Sequence, residues 1–357
     1  MKRMLVVLAV AGMLGARGAE VPSPPAAGSP CLEGGRVRWI IPVDTGGSYD
    51  TFMRLLAPFY EVRLGARLAC ENVTEAGGLV AAQKLHEAPP DGRTLGILNS
   101  TVLLTRRLSG EAGVPNLASD YTLLARVDRS QHVWVTGARS ELRTMEDVFR
   151  VAAQRPLVLG LREVGASSFA SFALGADLLD LPYEMVTGFT GSREAMLSAL
   201  RGEVDLLSQN FESVIKSVEA GDLRLLLQVS DRPVAEHAAL RGVPLLGGPD
   251  GLAVARAKRS GRDAAAAAVR ATALSGLVGS GRLLAAPPGM DPTRTACLRA
   301  ALHQTLEAAD FRAAAERSQI VLEVGTAEAA RAELVEVERQ FEVFRPVFER
   351  AIQRVRR

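Results

Sequence analysis

Two short stretches carry the residue types that can hold a small anion. The first is Val43, Asp44, Thr45, Gly46, Gly47, Ser48, Tyr49 and Asp50; the second is Glu163, Val164, Gly165, Ala166, Ser167 and Ser168. Each follows an apolar run that reads as a β-strand, residues 37–41 and 157–161, and each leads into a helical pattern. A strand, a glycine loop and a helix start leave the first backbone N–H groups of the helix free, with the positive end of its dipole aimed at one spot. Such a spot suits an anion. Backbone amides and short hydroxyls are neutral and preorganised, which fits a carboxylate in particular. In the first loop Pro42 ends the strand and Gly46-Gly47 supplies a turn that a Cβ would obstruct. Ser48 or Asp50 can cap the helix, whose Phe52, Leu55, Leu56, Phe59 and Val62 fall at core spacing. In the second, Gly165 permits close approach, while Ser167 and Ser168 can cap and donate hydroxyls. For either loop alone, a tight turn with no ligand is the competing reading.

Other candidates sit at predicted strand ends. Asn99, Ser100 and Thr101 follow the strand over residues 94–98, and Ser208, Gln209 and Asn210 follow the one over 204–207. In open parallel sheets, ligands collect at such carboxyl ends. Tyr49 and Phe189 can line the apolar part of a cleft or pack in the core. Asp44 and Glu163 would repel a nearby carboxylate, pair with an ammonium or hydroxyl at a ligand's other end, or point to solvent. Asp50 caps its helix or pairs with Arg54 at i+4 as readily as it meets a ligand.

The elements that must position these residues alternate. Predicted strands over residues 37–41, 67–72 and 94–98 with intervening helices imply a parallel sheet. Strands over 121–127 and 131–135 carry the chain into a second lobe, where strands over 157–161, 185–189, 204–207 and 223–229 alternate with helices over 142–153, 167–179 and 191–200. Thr144 is a candidate cap for the first of these. Residues 247–281 are rich in alanine, arginine and glycine, and 264–274 read as an extra surface helix. A strand over 283–286 and a helix over 292–308 follow; residues 326–357 are helical with a break at Pro346, and Leu334, Val337, Phe341 and Phe344 face inward.

The termini and composition exclude several classes. Residues 1–18 read as a basic n-region, an apolar h-region too short to span a bilayer, and a small-residue cleavage site, so they are a secretory leader. Residues 19–36 read as a flexible segment rich in Pro, Ala and Gly. No lipobox precedes Cys31, which argues against a lipid anchor. The formal charge of +2 becomes −1 once Lys2, Arg3 and Arg17 are removed, no footprint for nucleic acid. Cys31, Cys70 and Cys297 lack metal spacing; one disulfide with one free thiol, or three unpaired thiols, both fit. Four scattered histidines give no metal site, and no cofactor is expected. Gly165-Ala-Ser-Ser-Phe is not G-x-S-x-G, and neither H-E-x-x-H, Walker A nor C-x-x-C occurs, so the chain is not expected to be an enzyme.

The stretch from Ile41 to Asp50 resembles the VPFxxGGxxD signature of tripartite tricarboxylate transporter receptors, which are extracytoplasmic solute-binding proteins. Glu71-Asn72, Ala76-Gly77-Gly78 and Pro90-Asp91-Gly92-Arg93-Thr94-Leu95 are similar to the family's VEN, GAGG and PDGYTL. Gly191-Ser192, Gly202-Glu203-Val204-Asp205 and the stretch from Ala286 to Pro292 continue the likeness. The family's SGxGSxxH falls on the second loop: Gly165 matches its second glycine, Ala166 and Phe169 replace serine and histidine, and Glu163 stands where the other glycine would be. Residues 247–281 are longer than the family's segment and lack its tryptophan.

The resemblance implies an α/β, two-lobed periplasmic binding protein of type II-like fold. Each lobe would be a mostly parallel sheet flanked by helices, the two joined by two hinge strands. Residues 37–124 plus 246–357 would form one lobe and 125–245 the other. It further implies a periplasmic, monomeric receptor that grips a small organic anion, a mono- or dicarboxylate, between the two loops and delivers it to membrane transporter subunits. A ligand-binding sensor for a membrane signalling protein and a secreted hydrolase are the alternatives.

Overall fold

Apolar runs bounded by proline and glycine become the strands of two six-stranded sheets, in a computed structural model that describes residues 31–161, 164–189, 192–233, 237–318, 320 and 322–356. The expected leader, most of the segment 19–36 and Glu163 lie outside the described residues. In chain order come β1 (Arg36–Ile41), α1 (Ser48–Leu64), β2 (Arg67–Asn72), α2 (Leu79–His86), β3 (Thr94–Asn99), α3 (Ser100–Leu108) and β4 (Thr122–Arg126). Then follow β5 (His132–Gly137), α4 (Met145–Ala152), β6 (Leu157–Gly160), α5 (Ser167–Leu179), β7 (Tyr183–Val186), α6 (Ser192–Leu200), β8 (Leu206–Asn210), α7 (Phe211–Glu219) and β9 (Leu223–Gln228). The last third holds α8 (Leu252–Arg259), α9 (Ala264–Gly279), β10 (Arg282–Ala286), α10 (Pro292–Glu307) and α11 (Ala309–Arg317). It ends with β11 (Gly325–Thr326), α12 (Ala327–Arg339), α13 (Phe341–Ile352) and β12 (Val355–Arg356).

The first sheet has the order β11-β4-β10-β3-β1-β2 and the second β12-β7-β6-β8-β5-β9. Both are mixed. In the first, β2, β1 and β3 are parallel, and β10 enters antiparallel between β3 and β4. In the second, β12, β7, β6 and β8 are parallel, and β5 runs against β8 and β9. The inserted strands are those that begin just after the chain has passed from one lobe to the other, so they start at the opposite end of the sheet. β1 shows why its sequence is nearly all apolar. Val37, Trp39 and Ile41 pack with Phe52, Leu56 and Tyr60 of α1, while Ile40 faces the cluster on the other side of the sheet. A strand covered on both faces loses the apolar–polar alternation. Arg38, the charge within it, bonds Glu71 on the adjacent strand.

Several expectations are corrected. Val62 points out, 79% exposed, because it falls off the stripe defined by Phe52, Leu56 and Tyr60. α1 and α5 begin without the expected Ser48, Asp50, Ser167 or Ser168 caps; their N-caps are Gly47 and Ala166, neither with a side-chain hydrogen bond. Thr144 does cap α4, in a reciprocal pair with Asp147. The helix expected on the surface over residues 264–274 is α9, which exposes Ala265, Ala266, Val269 and Thr272 but buries Ala267, Ala271 and Leu274, and runs on into the interior through Leu277 and Val278, packing on α3, α5, α8 and α12. Alanine and glycine suit that place, since small side chains let helices approach closely. The C-terminal break falls at Gln340 between α12 and α13, and Pro346 lies inside α13. α13 packs on α5, and β12 extends the second sheet beside β7, so the end of the segment 246–357 leaves the first sheet.

The chain therefore passes between the sheets through residues 127–131, through 229–281, and again beyond β11. Cys31 is disulfide-bonded to Cys297 of α10, which ties the start of the described chain to the first lobe, and Cys70 is free. Peptide mapping under non-reducing conditions should recover the 31–297 pair and alkylate Cys70 only. The bond closes a loop of 266 residues. Replacing both cysteines by serine should lower stability by about 2–5 kcal/mol in denaturant titrations.

Candidate functional site

Both glycine–serine loops open on one cavity of about 330 Å³ between the sheets. Ser48 and Tyr49, the first two residues of α1, face it from the first lobe, with Val43 beside them; Ala166, Ser167 and Ser168 at the start of α5 face it from the second. Among the described residues, the backbone amides of Ser48, Tyr49, Ser167 and Ser168 have no hydrogen-bond acceptor. These are the orphan donors that every helix N-terminus leaves, here turned toward a cavity rather than satisfied by a cap. The helices are long, 17 and 13 residues. Two other helix termini at the cavity are closed: Asn99 caps α3 by accepting from the Val102 amide, and Asn210 caps α7 by accepting from that of Glu212.

The first loop is shaped by a polar knot behind it. Asp50 is almost wholly buried and accepts from the Gly46 amide (2.8 Å), Arg54 (2.9 Å) and Asn72 (2.9 Å), while Asn72 also donates to the Val43 carbonyl. The hydrogen bond from Arg54, with those from Gly46 and Asn72, holds the Asp50 carboxyl down to about 2. Asp50 therefore serves the loop and not the cavity. Gly78 backs the same loop: its φ is +91°, and a Cβ there would sit 2.8 Å from that of Pro42.

Eleven of the sequence candidates line the cavity: Val43, Ser48, Tyr49, Asn99, Thr101, Ala166, Ser167, Ser168, Ser208, Gln209 and Asn210. Nine described ones do not. Asp44 and Thr45 are exposed, and Asp44 turns its carbonyl to the Gly47 amide. Gly46 and Gly47 form the turn behind Ser48. Ser100 is buried against the Gly281 carbonyl, and Val164 and Gly165 lead into α5 outside the lining. Phe189 packs in the core of the second lobe, the commoner fate of an aromatic. With Asp50, that accounts for all nine.

The residue that sequence reasoning missed is Arg282. It starts β10, is 4% exposed, and is the single charged side chain among the described residues lining the cavity. Its Nη2 reaches Asp128 Oδ2 at 2.9 Å and Glu212 Oε2 at 3.2 Å, and its guanidinium lies over the rings of Tyr49 (5.2 Å) and Phe52 (5.4 Å). It thus joins the first lobe (β10, α1), the crossing 127–131 and the second lobe (α7). Burial pushes the carboxyls of Asp128 and Glu212 upward against the pull of Arg282. A lone arginine heading an apolar strand was the available signal, since a charge there has to find a buried partner. His132 was missed too. Burial lowers its pKa to about 4, so it stands neutral at the cavity wall, its Nδ1 3.5 Å from the Ser208 hydroxyl. Ser130, Ala195, Val102 and Ser213 complete the lining.

Two α/β lobes with a polar, largely uncharged cavity between them define a two-lobed solute-binding receptor. The chain belongs to the tripartite tricarboxylate transporter receptor family, whose model matches residues 52–248, more than half of it. That family is one of periplasmic solute-binding receptors, not of enzymes. Protein BugT of Bordetella pertussis is 27% identical over 224 residues, covering 60% of this chain and 66% of that protein. A UPF0065 protein from the tcbD-tcbE intergenic region of a Pseudomonas strain is 24% identical over 223 residues, covering 60% and 63%. The match thus spans just under two thirds of the length of these curated relatives. Among solved structures, a TctC solute binding protein from Polaromonas superposes with a TM-score of 0.68 at 20% identity, covering 88% of this chain and 98% of that one. MatC from Rhodopseudomonas palustris with bound malate gives 0.60 at 20% identity, covering 88% and 99%. R. palustris Rpa4515 with adipate gives 0.63 at 20%, covering 88% and 97%. No helix of the described residues is long and apolar enough to cross a membrane.

The Asp50 knot has a pH signature. Its folded-state pKa is depressed, so the stability it contributes is present above the unfolded value near 4 and is lost as pH falls from about 4 to 2. Asp50→Ala should cost about 2–3 kcal/mol at pH 7, because three donors lose a charged acceptor. The variant's melting temperature should also fall less steeply than the wild type's between pH 4 and 2. Equal slopes would assign the acid response to other groups.

Proposed function

We propose that this chain is exported by its leader, residues 1–18, and in the periplasm captures a small organic carboxylate, which it delivers to a membrane transporter. The observation that carries this reading is the convergence of two uncapped helix N-termini, with unused amides at Ser48, Tyr49, Ser167 and Ser168, on one cavity. A carboxylate bridging them receives donors from both lobes and interacts favourably with both dipoles. Two structural neighbours, MatC with bound malate and Rpa4515 with adipate, support the ligand class. We take residues 37–124 plus 246–357 and residues 125–245 as the two lobes, with α13 and β12 of the first crossing over to pack on the second, and with Asn99, Thr101, Gln209 and Asn210 contacting the remainder of the ligand. Asp44, outside the lining, is kept as a group able to meet a ligand's far end, and so is Glu163, which is not among the described residues.

Binding through backbone amides predicts a particular mutational pattern. A single neutral hydrogen bond contributes about 0.5–1.5 kcal/mol, so Ser167→Ala or Ser168→Ala should weaken binding of a carboxylate panel by roughly tenfold or less in calorimetry. A new carboxylate in the cavity sets like charge against the ligand in a partly desolvated site. Ser48→Asp and Ala166→Asp should therefore abolish measurable binding while leaving the melting temperature of the free protein nearly unchanged. Retained binding in both variants would place the ligand elsewhere. Expressed from its full-length gene in a Gram-negative host, the protein should appear in the osmotic-shock fraction beginning near Ala19 or Glu20; an intact Met1 in the cytosol would refute export.

A further inference from the structure

The one charged side chain among the described residues lining the cavity has donors to spare. Arg282 meets Asp128 at 2.9 Å and Glu212 at 3.2 Å, both through Nη2. Its Nε and Nη1 carry further N–H donors, and neither has an acceptor among the described residues. Arg106 Nε and Arg126 Nε are sealed from solvent without a partner; Arg282 Nε and Nη1 are not in that state, and the 4% of Arg282 that stays exposed is cavity lining. Asp128 and Glu212 lie outside the lining, so an anion in the cavity meets the guanidinium before either carboxylate. The rings of Tyr49 and Phe52 cover the guanidinium from 5.2 and 5.4 Å, which leaves its edge for hydrogen bonding. Tyr49 also joins this cation to the first open helix terminus. Its ring carries Arg282, and its backbone amide is one of the donors without an acceptor.

We propose that Arg282 touches the ligand, as a third donor to the carboxylate gripped by the two helix termini, through Nε or Nη1. This rests on the carboxylate reading above and deepens it: the site then offers a full positive charge beside the helix dipoles. Each oxygen of a carboxylate accepts more than one hydrogen bond, so amides of α1 and α5 and the guanidinium can share it. A hydrogen bond between two ions is about twice as strong as one between neutral groups. The amides and hydroxyls therefore suit any acceptor of the right shape, and Arg282 selects the charged one. Asp128 and Glu212 hold the guanidinium in place before the ligand arrives, so binding orders no free side chain there. Its low exposure means that water screens the new ion pair weakly.

Butyrate, hexanoate, succinate, malate and adipate, titrated calorimetrically into the mature protein, are the probes. A crystal structure of the wild type with the tightest of them should place a carboxylate oxygen within hydrogen-bond distance of Arg282 Nε or Nη1. Arg282→Lys keeps a cation for Asp128 and Glu212 but gives up the donors that reach the cavity. It should bind the same probe roughly ten- to a hundredfold more weakly, the range expected for a lost charge-assisted hydrogen bond. Should that variant fail to fold, the wild-type complex alone decides. A carboxylate seated at the helix termini with no hydrogen bond to Arg282 overturns the inference, as does undiminished affinity in folded Arg282→Lys; either leaves the carboxylate site itself standing. If no probe binds folded wild type, the carboxylate site fails and this inference with it.

Discussion

Each sheet has an apolar cluster of its own on one face, and the two share a third on the other. One apolar cluster runs from Ile40 and Leu98 of the first sheet, through Leu103 and Leu104 of α3 and Leu274 and Leu277 of α9, to Phe169 and Phe172 of α5 and Trp134 and Leu159 of the second sheet. α13 closes it, with Phe348 edge-on to Phe169 at 5.2 Å. This shared core fixes the axis of α5 relative to the sheet that carries α1, and hence the distance across which the two open helix termini face each other. Each fully buried Leu or Phe in it contributes about 1.5–3 kcal/mol relative to exposure. The site's geometry is in that sense a consequence of packing away from it, in part by α9 and α13, which contribute nothing to the cavity lining.

The polar counterpart of that core is the Asp128–Arg282–Glu212 cluster. Burying three charges is costly, and the cost is offset only where geometry supplies ion pairs and further hydrogen bonds. Here Asp128 takes the Arg282 backbone amide as well as its side chain, and two aromatic rings cover the guanidinium. The preceding residue has to be glycine. Gly281 has φ +69°, and a Cβ there would lie 2.0 Å from the Asp128 carbonyl oxygen. The crossing at 127–131 is held from the other side by Arg126 and Arg129, which share Glu333, while Arg129 and Arg232 share Glu323. Specificity of arrangement, not net stability, is what such buried pairs supply most dependably.

Local chemistry was legible in the sequence. The apolar runs at residues 37–41 and 94–98, the Gly46-Gly47 turn and the Thr144 cap each depend on neighbours within a few residues, and each has its expected form. Ser48 and Ser167 line one cavity, but they follow strands of different sheets, so the packing of the sheets and not the local units brings them together. What failed depended on partners far along the chain. α9 reads as a surface helix because alanine tolerates either environment, and only its contacts with α5 and α12 decide the matter. Arg282 reads as an isolated charge because Asp128 lies 154 residues away. The Cys31–Cys297 pairing spans 266 residues and has no local trace. Asp50 was ambiguous for a different reason: a carboxylate that organises a binding loop and one that touches a ligand occupy the same place in the chain.

The shared core also bears on how the cavity can admit a ligand. A receptor holding its ligand at micromolar affinity has about 8 kcal/mol from that contact. Separating the lobes along α3, α5, α9 and α13 would uncover many side chains worth about 1.5–3 kcal/mol each, so four or five of them would exceed the whole. Movement that accompanies binding therefore has to pivot about the core and leave it closed. The parts free to move are those on the cavity side, namely the Val43–Ser48 and Gly165–Ser167 loops and the Arg282–Glu212 contact. That contact spans the lobes on the cavity side with Glu212 still a third exposed. Arg282 faces the cavity while Glu212 lies outside its lining, so this contact can answer to closure of the lobes without Glu212 itself touching what they close upon.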